Sequence, residues 1–313
     1  MAKHLLFIAG SDIDYFYDVE SFLSQGDACL AKPLGSKIGG CVLNAASVCA
    51  CLGSDVKVLD YLRENDKGTD MLLAGLKEKH VDTTNICFGE DVTNGTCLIM
   101  KKDDEKCIYV IEPERPFFKE DQKLQDLLFN SSYIYSLMHT LKISFKNMDI
   151  LEEARKQGTN IIFDGGSQYK DEDEKKILFD LADGLFMNET SFSRLKDTCA
   201  FEPLDYMFDK GLKFACITNG DKGVTCYTKN EIYKNKAIKV DVVDSTGAGD
   251  SFAGCFLHFL DKGLPIVDCL KYASYNGAYA CLKEGGMAGT ISEKDLFEFV
   301  KSKEMITKYE WVV

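Results

Sequence analysis

In the stretch "VVDSTGAGDSFAGCFLHFL", residues 242–260, two glycines and a carboxylate stand where an apolar helix begins. A turn needs one glycine at most, and it has no need of an acid at the tip of a run of small residues. Backbone N–H groups of Gly247, Ala248 and Gly249 at the mouth of that helix make a hole for phosphate oxygens. Glycine and alanine let such a ligand come close. Asp250 sits among these donors. On one reading it is a plain helix cap, a position where aspartate is favoured. On the other it is a base that takes a hydroxyl proton while that oxygen attacks a phosphate held by the amides. Phosphoryl transfer asks little more of a protein than positioning, charge neutralisation and one such base. Two other phosphate loops are excluded. A dinucleotide fingerprint would need glycine where Phe252 stands, and a Walker A loop would need Gly-Lys-Ser/Thr, which the chain lacks.

The elements that must position this motif follow from hydrophobic period. Leu5–Ala9 reads as a first strand, "VLNAASVCACLG" as a small-residue helix stopping at Gly53, and "DVKVLDYL" as a strand. "KGTDMLLAGLKEKHV" is helical and "TNICF" a strand. Then "NGTCLIMKKDDEKCIYVIEPE" reads as a β-hairpin about the acidic turn Asp103–Asp104–Glu105. From about residue 120 strands and helices alternate through "SSYIYSLM", "SFKNMDILEEARKQG", "TNIIFDGG", "ADGLFMN" and "KFACITNG", and "IKVDVV" reads as a strand leading into the glycine turn. That rhythm implies an α/β fold with a mostly parallel sheet and helices on both faces. The hairpin, with the extended segments after the first strand, makes a small β-sheet beside the crevice, a candidate lid. We expect one folding unit over 1–313, with the lid formed by about 13–36 and 90–112.

Composition narrows the partners. A net charge of −13 without a basic block argues against nucleic acid or an anionic membrane. A nucleotide arriving with magnesium stays compatible, since the ion and a few amides offset its charge. The 13 cysteines are scattered, with no C-x-x-C, so they read as buried thiols of a reducing cytoplasm rather than zinc ligands or disulfides. "MAKHLLFIAG" reads as a strand rather than a signal peptide.

"DSTGAGDSFAGCF" resembles the signature of the ribokinase-like (PfkB) carbohydrate kinases, D-[ST]-T-G-A-G-D, and "GSKIGGCVLNAASVCACLG" is similar to their early G-G-x-x-x-N segment. The order of segments fits over nearly the whole chain. The resemblance implies a three-layer ribokinase-like sandwich with a β-sheet lid, using ATP and Mg²⁺. It makes Asp250 the catalytic base, with Gly247, Ala248 and Gly249 as the anion hole. Asp14, Gly39, Gly40 and Asn44 would bind the acceptor, and a carboxylate beside an amide suits vicinal hydroxyls. "ACITNGDKGV" would place Thr218, Gly220 and Gly223 on the nucleotide, although "NGDKG" makes a β-turn in any case. "YNGAYACLKEGG" would bring Asn276, Ala278 and Gly285 to adenine, and Asp244 with Thr246 could hold a monovalent cation such as K⁺.

Three departures qualify the resemblance. In "MNETSF", Asn188 keeps its nucleotide-side position, but Ser191 stands where the family has a metal-linked Glu, and Glu189 lies a turn of about 100° away on a helix. "FDGGSQY" keeps Asp164 without the sugar-type arginine. In "YSLMHT", His139 stands near the substrate-facing Glu of ribose-specific relatives. The expected activity is ATP-dependent phosphorylation of a hydroxymethyl group on a small sugar. Alternatives are a nucleoside kinase (adenosine- or pseudouridine-like) and a non-catalytic sugar sensor. A lid sheet of this kind can pair with a second copy to form a homodimer, but need not.

Overall fold

The computed structural model describes residues 3–103, 105–166 and 171–309, with side chains through Glu304. Asp104 of the acidic turn and the Ser167–Gln168–Tyr169 portion of "FDGGSQY" lie outside the described residues. In chain order the elements are β1 (His4–Ile8), β2 (Asp12–Val19), β3 (Ala31–Gly39), α1 (Cys41–Cys51), β4 (Val56–Arg63), α2 (Lys67–Glu78), β5 (Asp82–Gly89), β6 (Gly95–Lys102) and β7 (Glu105–Ile111). Then follow α3 (Gln122–Phe129), β8 (Ser131–Ser136), α4 (Met138–Ser144), α5 (Asp149–Lys156), β9 (Asn160–Asp164), α6 (Glu172–Leu181), β10 (Gly184–Asn188) and α7 (Glu189–Asp197). The last are α8 (Pro203–Asp209), β11 (Phe214–Thr218), β12 (Val224–Tyr227), β13 (Ile232–Asn235), α9 (Ala248–Asp261), α10 (Ile266–Ala280) and α11 (Glu293–Tyr309).

Nine strands form one sheet in the order β13-β12-β11-β10-β9-β8-β1-β4-β5, parallel except for β12 and β13. Strand β1 is buried along its whole length, and its alternation splits the core. Leu5 and Phe7 face α1, α2, α9, α10 and α11, while Leu6 and Ile8 face α3 through α8. Burial on both faces explains why β1 reads as a continuous apolar run. The strand order reverses beside β1, with β4 on one side and β8 on the other. In an open α/β sheet that reversal opens a crevice at the carboxyl ends of the strands.

Above the crevice lies a second sheet in the order β3-β2-β6-β7, which takes in the segments expected at 13–36 and 90–112 but begins at Asp12 and carries β3 on to Gly39. Its inner pair, β2 and β6, is parallel, with Asp12 opposite Gly95 and Asp14 opposite Cys97. The connection from β1 into β2 and the return after β7 are tied to the body by a buried ion pair. Asp60 of β4 accepts from Arg115, from the Ser11 amide at 2.9 Å and from the Ser11 hydroxyl, while Arg115 also donates to the Ala9 carbonyl at 3.3 Å. Neither sequence motif nor period marked this pair.

Two expectations are corrected. "IKVDVV" is not a strand: Val242 and Val243 are about two-thirds exposed, and Val243 N–H is strapped to the Cys281 carbonyl at 2.8 Å. The sheet edge it would need is occupied by the β12–β13 hairpin, which the period analysis missed. "SFKNMDILEEARKQG" is not one helix; α4 ends at Ser144, and α5 begins only at Asp149. Arg115→Met should leave Asp60 a buried charge without its partner and lower unfolding stability by about 3–5 kcal/mol in urea titrations. Adding Asp60→Asn should restore part of that loss, and full additivity would show that the two side chains are not coupled.

Candidate active site

Helix α9 opens at Gly247, whose φ of 77° is left-handed. A side chain there would also collide with the Gly286 carbonyl, so the 285–287 loop can close on the turn only over glycine. Ser251 N–H donates to the Gly247 carbonyl at 2.8 Å. Ala248 N–H, expected in the anion hole, instead donates to the Ser245 carbonyl at 3.2 Å. Among the described residues Gly247, Gly249 and Asp250 have no backbone acceptor, and a Cβ on Gly249 would meet nothing within 4 Å. Donors facing open space at a helix N-terminus suit phosphate oxygens.

The carboxylate of Asp250 is partly exposed to the crevice but walled by protein. Asn44 Nδ2 donates to its Oδ2 at 2.7 Å, while Asn44 Oδ1 is buried without a partner. Burial pushes the Asp250 carboxyl up to about 7; the Asp164 charge adds to the rise and the Asn44 donor opposes it. Asp164, at the end of β9, accepts from Tyr135 Oη at 3.0 Å and from Gly166 N–H at 2.9 Å. Burial raises it as well, although those two donors work against the rise. Cys41 stands among Asp164, Asp250 and Asp12 with its thiol held well above the usual range, first by burial and then by those charges.

Across the crevice Asp14 projects from β2 against Gly39, where a Cβ would collide with its carboxylate. Gly40, with φ 102°, leads into α1 over the Gly10 carbonyl. Burial raises Asp14, partly offset by a Cys97 hydrogen bond and by Lys106. Sequence reasoning missed Asp12, which burial, Asp14 and Asp60 push up to about 7 against the pull of Arg115. The period of β2 could have found it, because residues two apart on a strand share a face.

The remaining expectations divide. Gly285 N–H donates to Asp244 Oδ2 at 3.0 Å, and Asp244 Oδ1 accepts from Thr246 N–H at 2.9 Å and Thr246 Oγ1 at 2.7 Å, so this loop is a closed knot. Burial raises Asp244, but those hydrogen bonds and Lys106 outweigh it and hold the carboxyl below its ordinary value. Asn276 is fully buried and braces α9, its Nδ2 donating to the Ser251 and Gly289 carbonyls at 3.1 and 3.3 Å, while its Oδ1 is without a partner among the described residues. Ala278 is buried on the same helix. Thr218 ends β11 at the crevice, and Gly220 opens a single 3₁₀ turn. Gly223 is required by packing, because a side chain would strike the Asn235 carbonyl.

His139 lies in the first turn of α4, with Nδ1 2.9 Å from Glu174, while Nε2 stands 3.4 Å from Glu112 without a hydrogen-bond partner among the described residues. Asn188 caps α7, its Oδ1 accepting from Ser191 N–H at 2.8 Å, and Ser191 is buried. Among the described residues no group of three or more His, Cys, Asp or Glu side chains could hold a metal. A magnesium ion would therefore take most of its ligands from nucleotide phosphates and water, as that ion commonly does.

Comparison with known proteins agrees with this geometry. The chain is 22% identical over 299 residues to a ribokinase of Staphylococcus aureus, covering 92% of this chain and 96% of the relative. It is 24% identical over 272 residues to a nucleoside kinase of Methanocaldococcus jannaschii, covering 82% and 83%. Arabidopsis thaliana ribokinase, solved with ribose and ATP, superposes with a TM-score of 0.81 at 21% identity over 96% of this chain and 99% of that one. A structure from E. coli in complex with ATP and Mg²⁺ gives 0.77 at 18% identity, over 96% and 99%. The fold is ribokinase-like. The profile of the pfkB family of carbohydrate kinases, phosphotransferases with an alcohol acceptor, matches residues 3–293, and the chain belongs to that family.

Proposed function

We propose that the chain is an ATP-dependent kinase that phosphorylates a hydroxymethyl group of a small, neutral sugar or sugar-like polyol. The observation that carries this is the placement of Asp250, a carboxyl tuned to about 7, beside the unpartnered N–H groups of Gly249 and its own backbone. The acceptor oxygen attacks the γ-phosphorus, its proton passes to Asp250, the bond to the β-phosphate oxygen breaks, and ADP leaves. The N–H donors hold the transferring oxygens as charge shifts. Magnesium bound with the nucleotide supplies further charge neutralisation; Asn188 and the exposed Glu189 are the residues at that edge of the crevice. On the acceptor side Asp12, Asp14, Gly39 and Gly40 offer carboxylates and bare backbone to hydroxyls. That acidic wall disfavours a phosphorylated or carboxylated acceptor, because it repels like charge. Asn44 Oδ1, buried beside the base without a partner, can accept a hydrogen bond from a hydroxyl of the acceptor. Thr218, Gly220 and Gly285 border the nucleotide side.

The four-stranded sheet is read as a lid on a single folding unit. Its outer strand β7 exposes Ile108, Tyr109, Val110 and Ile111 along an unpaired edge, which supports pairing with a second copy. All 13 cysteines are free, which supports a reducing cytoplasm. No helix among the described residues is long and apolar enough to cross a membrane. The similarity to the archaeal nucleoside kinase keeps nucleosides in the acceptor panel. Binding of sugar without any ADP release would instead identify a sensor.

Asp250→Asn should lower turnover by about 10²–10⁴ while ATP binding by calorimetry persists. Near-wild-type turnover would remove Asp250 from the chemistry. Because the base must be ionised, kcat/KM should rise about tenfold per pH unit below pH 7 and level off above it. Asn44→Ala removes a donor that favours the charged form and should move this limb to higher pH. Asp164→Asn removes a like charge and should move it to lower pH; shifts of the opposite sign would contradict the electrostatics. Light scattering should find the wild type dimeric and Val110→Lys monomeric, and a monomeric wild type would dismiss lid pairing.

A further inference from the structure

The Asp244 knot does more than hold the glycine turn. Its carboxylate satisfies three donors from its own loops, and Thr246 Oγ1, having given its proton to Asp244, keeps lone pairs that face outward. Lys106 of β7 meets them: its Nζ lies 3.2 Å from Thr246 Oγ1, across 140 positions of sequence. On the other side of the same knot the ammonium of Lys37, from β3, lies beside Gly285, whose N–H is bound to Asp244. Both cations belong to the four-stranded sheet, and they reach the two loops that meet in the knot, Lys106 at Thr246 and Lys37 at Gly285.

We propose that Lys106 is a tethered cation for this loop, supplying from the lid the positive charge that a mobile monovalent ion would otherwise bring, with Lys37 flanking it. The assignment rests on the kinase reading of the site. An ammonium and a potassium ion carry the same charge, and here the Lys106 ammonium already sits on the outward Thr246 Oγ1 lone pairs that a potassium ion would meet. The contact is exposed, and a pair of that kind contributes little in bulk water. Its effect grows when substrates fill the crevice and water leaves, because the same charge acts more strongly at lower effective dielectric. Since Lys106 rides on the lid sheet, the charge is in place only while that sheet is down over the crevice. Two consequences follow. Turnover is independent of potassium, and the phosphate-binding turn is completed only upon closure.

The test compares wild type, Lys106→Met and Lys106→Arg in choline, potassium and ammonium chloride at constant ionic strength. Wild-type turnover should be the same in all three salts, and its melting temperature should show no shift specific to potassium. Lys106→Met should be at least about tenfold slower in choline chloride. Potassium or ammonium should restore much of that loss and raise the variant's melting temperature by about 2–4 °C relative to choline. Lys106→Arg should keep wild-type salt independence. Potassium stimulation or potassium-specific stabilisation of the wild type would overturn the proposal. So would a Met variant that is fast, or one that is slow in every salt with no melting shift. If no acceptor turned over, the melting measurements would still decide the role of Lys106, while the kinase reading alone would fail.

Discussion

The hydrogen bond from Asn44 to Asp250 joins residues 206 positions apart, and the rest of the site is arranged around it. It can form only because α1 and α9 approach closely. Gly254 lies against the Ala45 carbonyl, where a side chain would collide, and Cys49 Sγ donates to the Gly254 carbonyl at 2.8 Å. That packing carries the base to the mouth of α9, buried and near the charge of Asp164. Burial and that charge oppose ionisation, and the single amide donor works against them. The balance leaves a carboxyl that can both lose and regain a proton near neutral pH, as a group that takes a proton at each turnover must.

A chain with a net charge of −13 handles a polyanion through local geometry rather than through its overall field. The helix N-terminus, with its unpartnered amides, and two lysines of the smaller sheet face the phosphate side. Carboxylates line the side where hydroxyls would lie. The crevice is thus divided by charge, and the division falls along the boundary between strand ends and glycine turn.

Much of this was legible in the sequence because it is local. The apolar period of β1, the small residues of α1 and the glycine run before α9 each encode their own conformation, and the change of rhythm at the hairpin 93–112 marked the second sheet. What escaped notice depends on partners distant in sequence. Asp60 and Arg115 are 55 positions apart, and neither belongs to a motif. "IKVDVV" has strand composition, yet the β12–β13 hairpin holds the edge it would have joined. Asn276 sits in a motif-like segment, but its amide closes a gap between α9 and the loop at Gly289, which only the tertiary packing reveals. Asp12 was within reach, since strand period alone places it beside Asp14.

The parallel pairing of β2 with β6 has a mechanical result. Those strands come from two separate excursions of the chain, one leaving after β1 and the other after β5, and they are laced together along seven register positions. Neither excursion can swing without dragging its neighbour, so the two hairpins behave as a single stiff board with a pair of attachment points. Any tilt would carry Asp12, Asp14 and the two lysines together relative to the opposite wall.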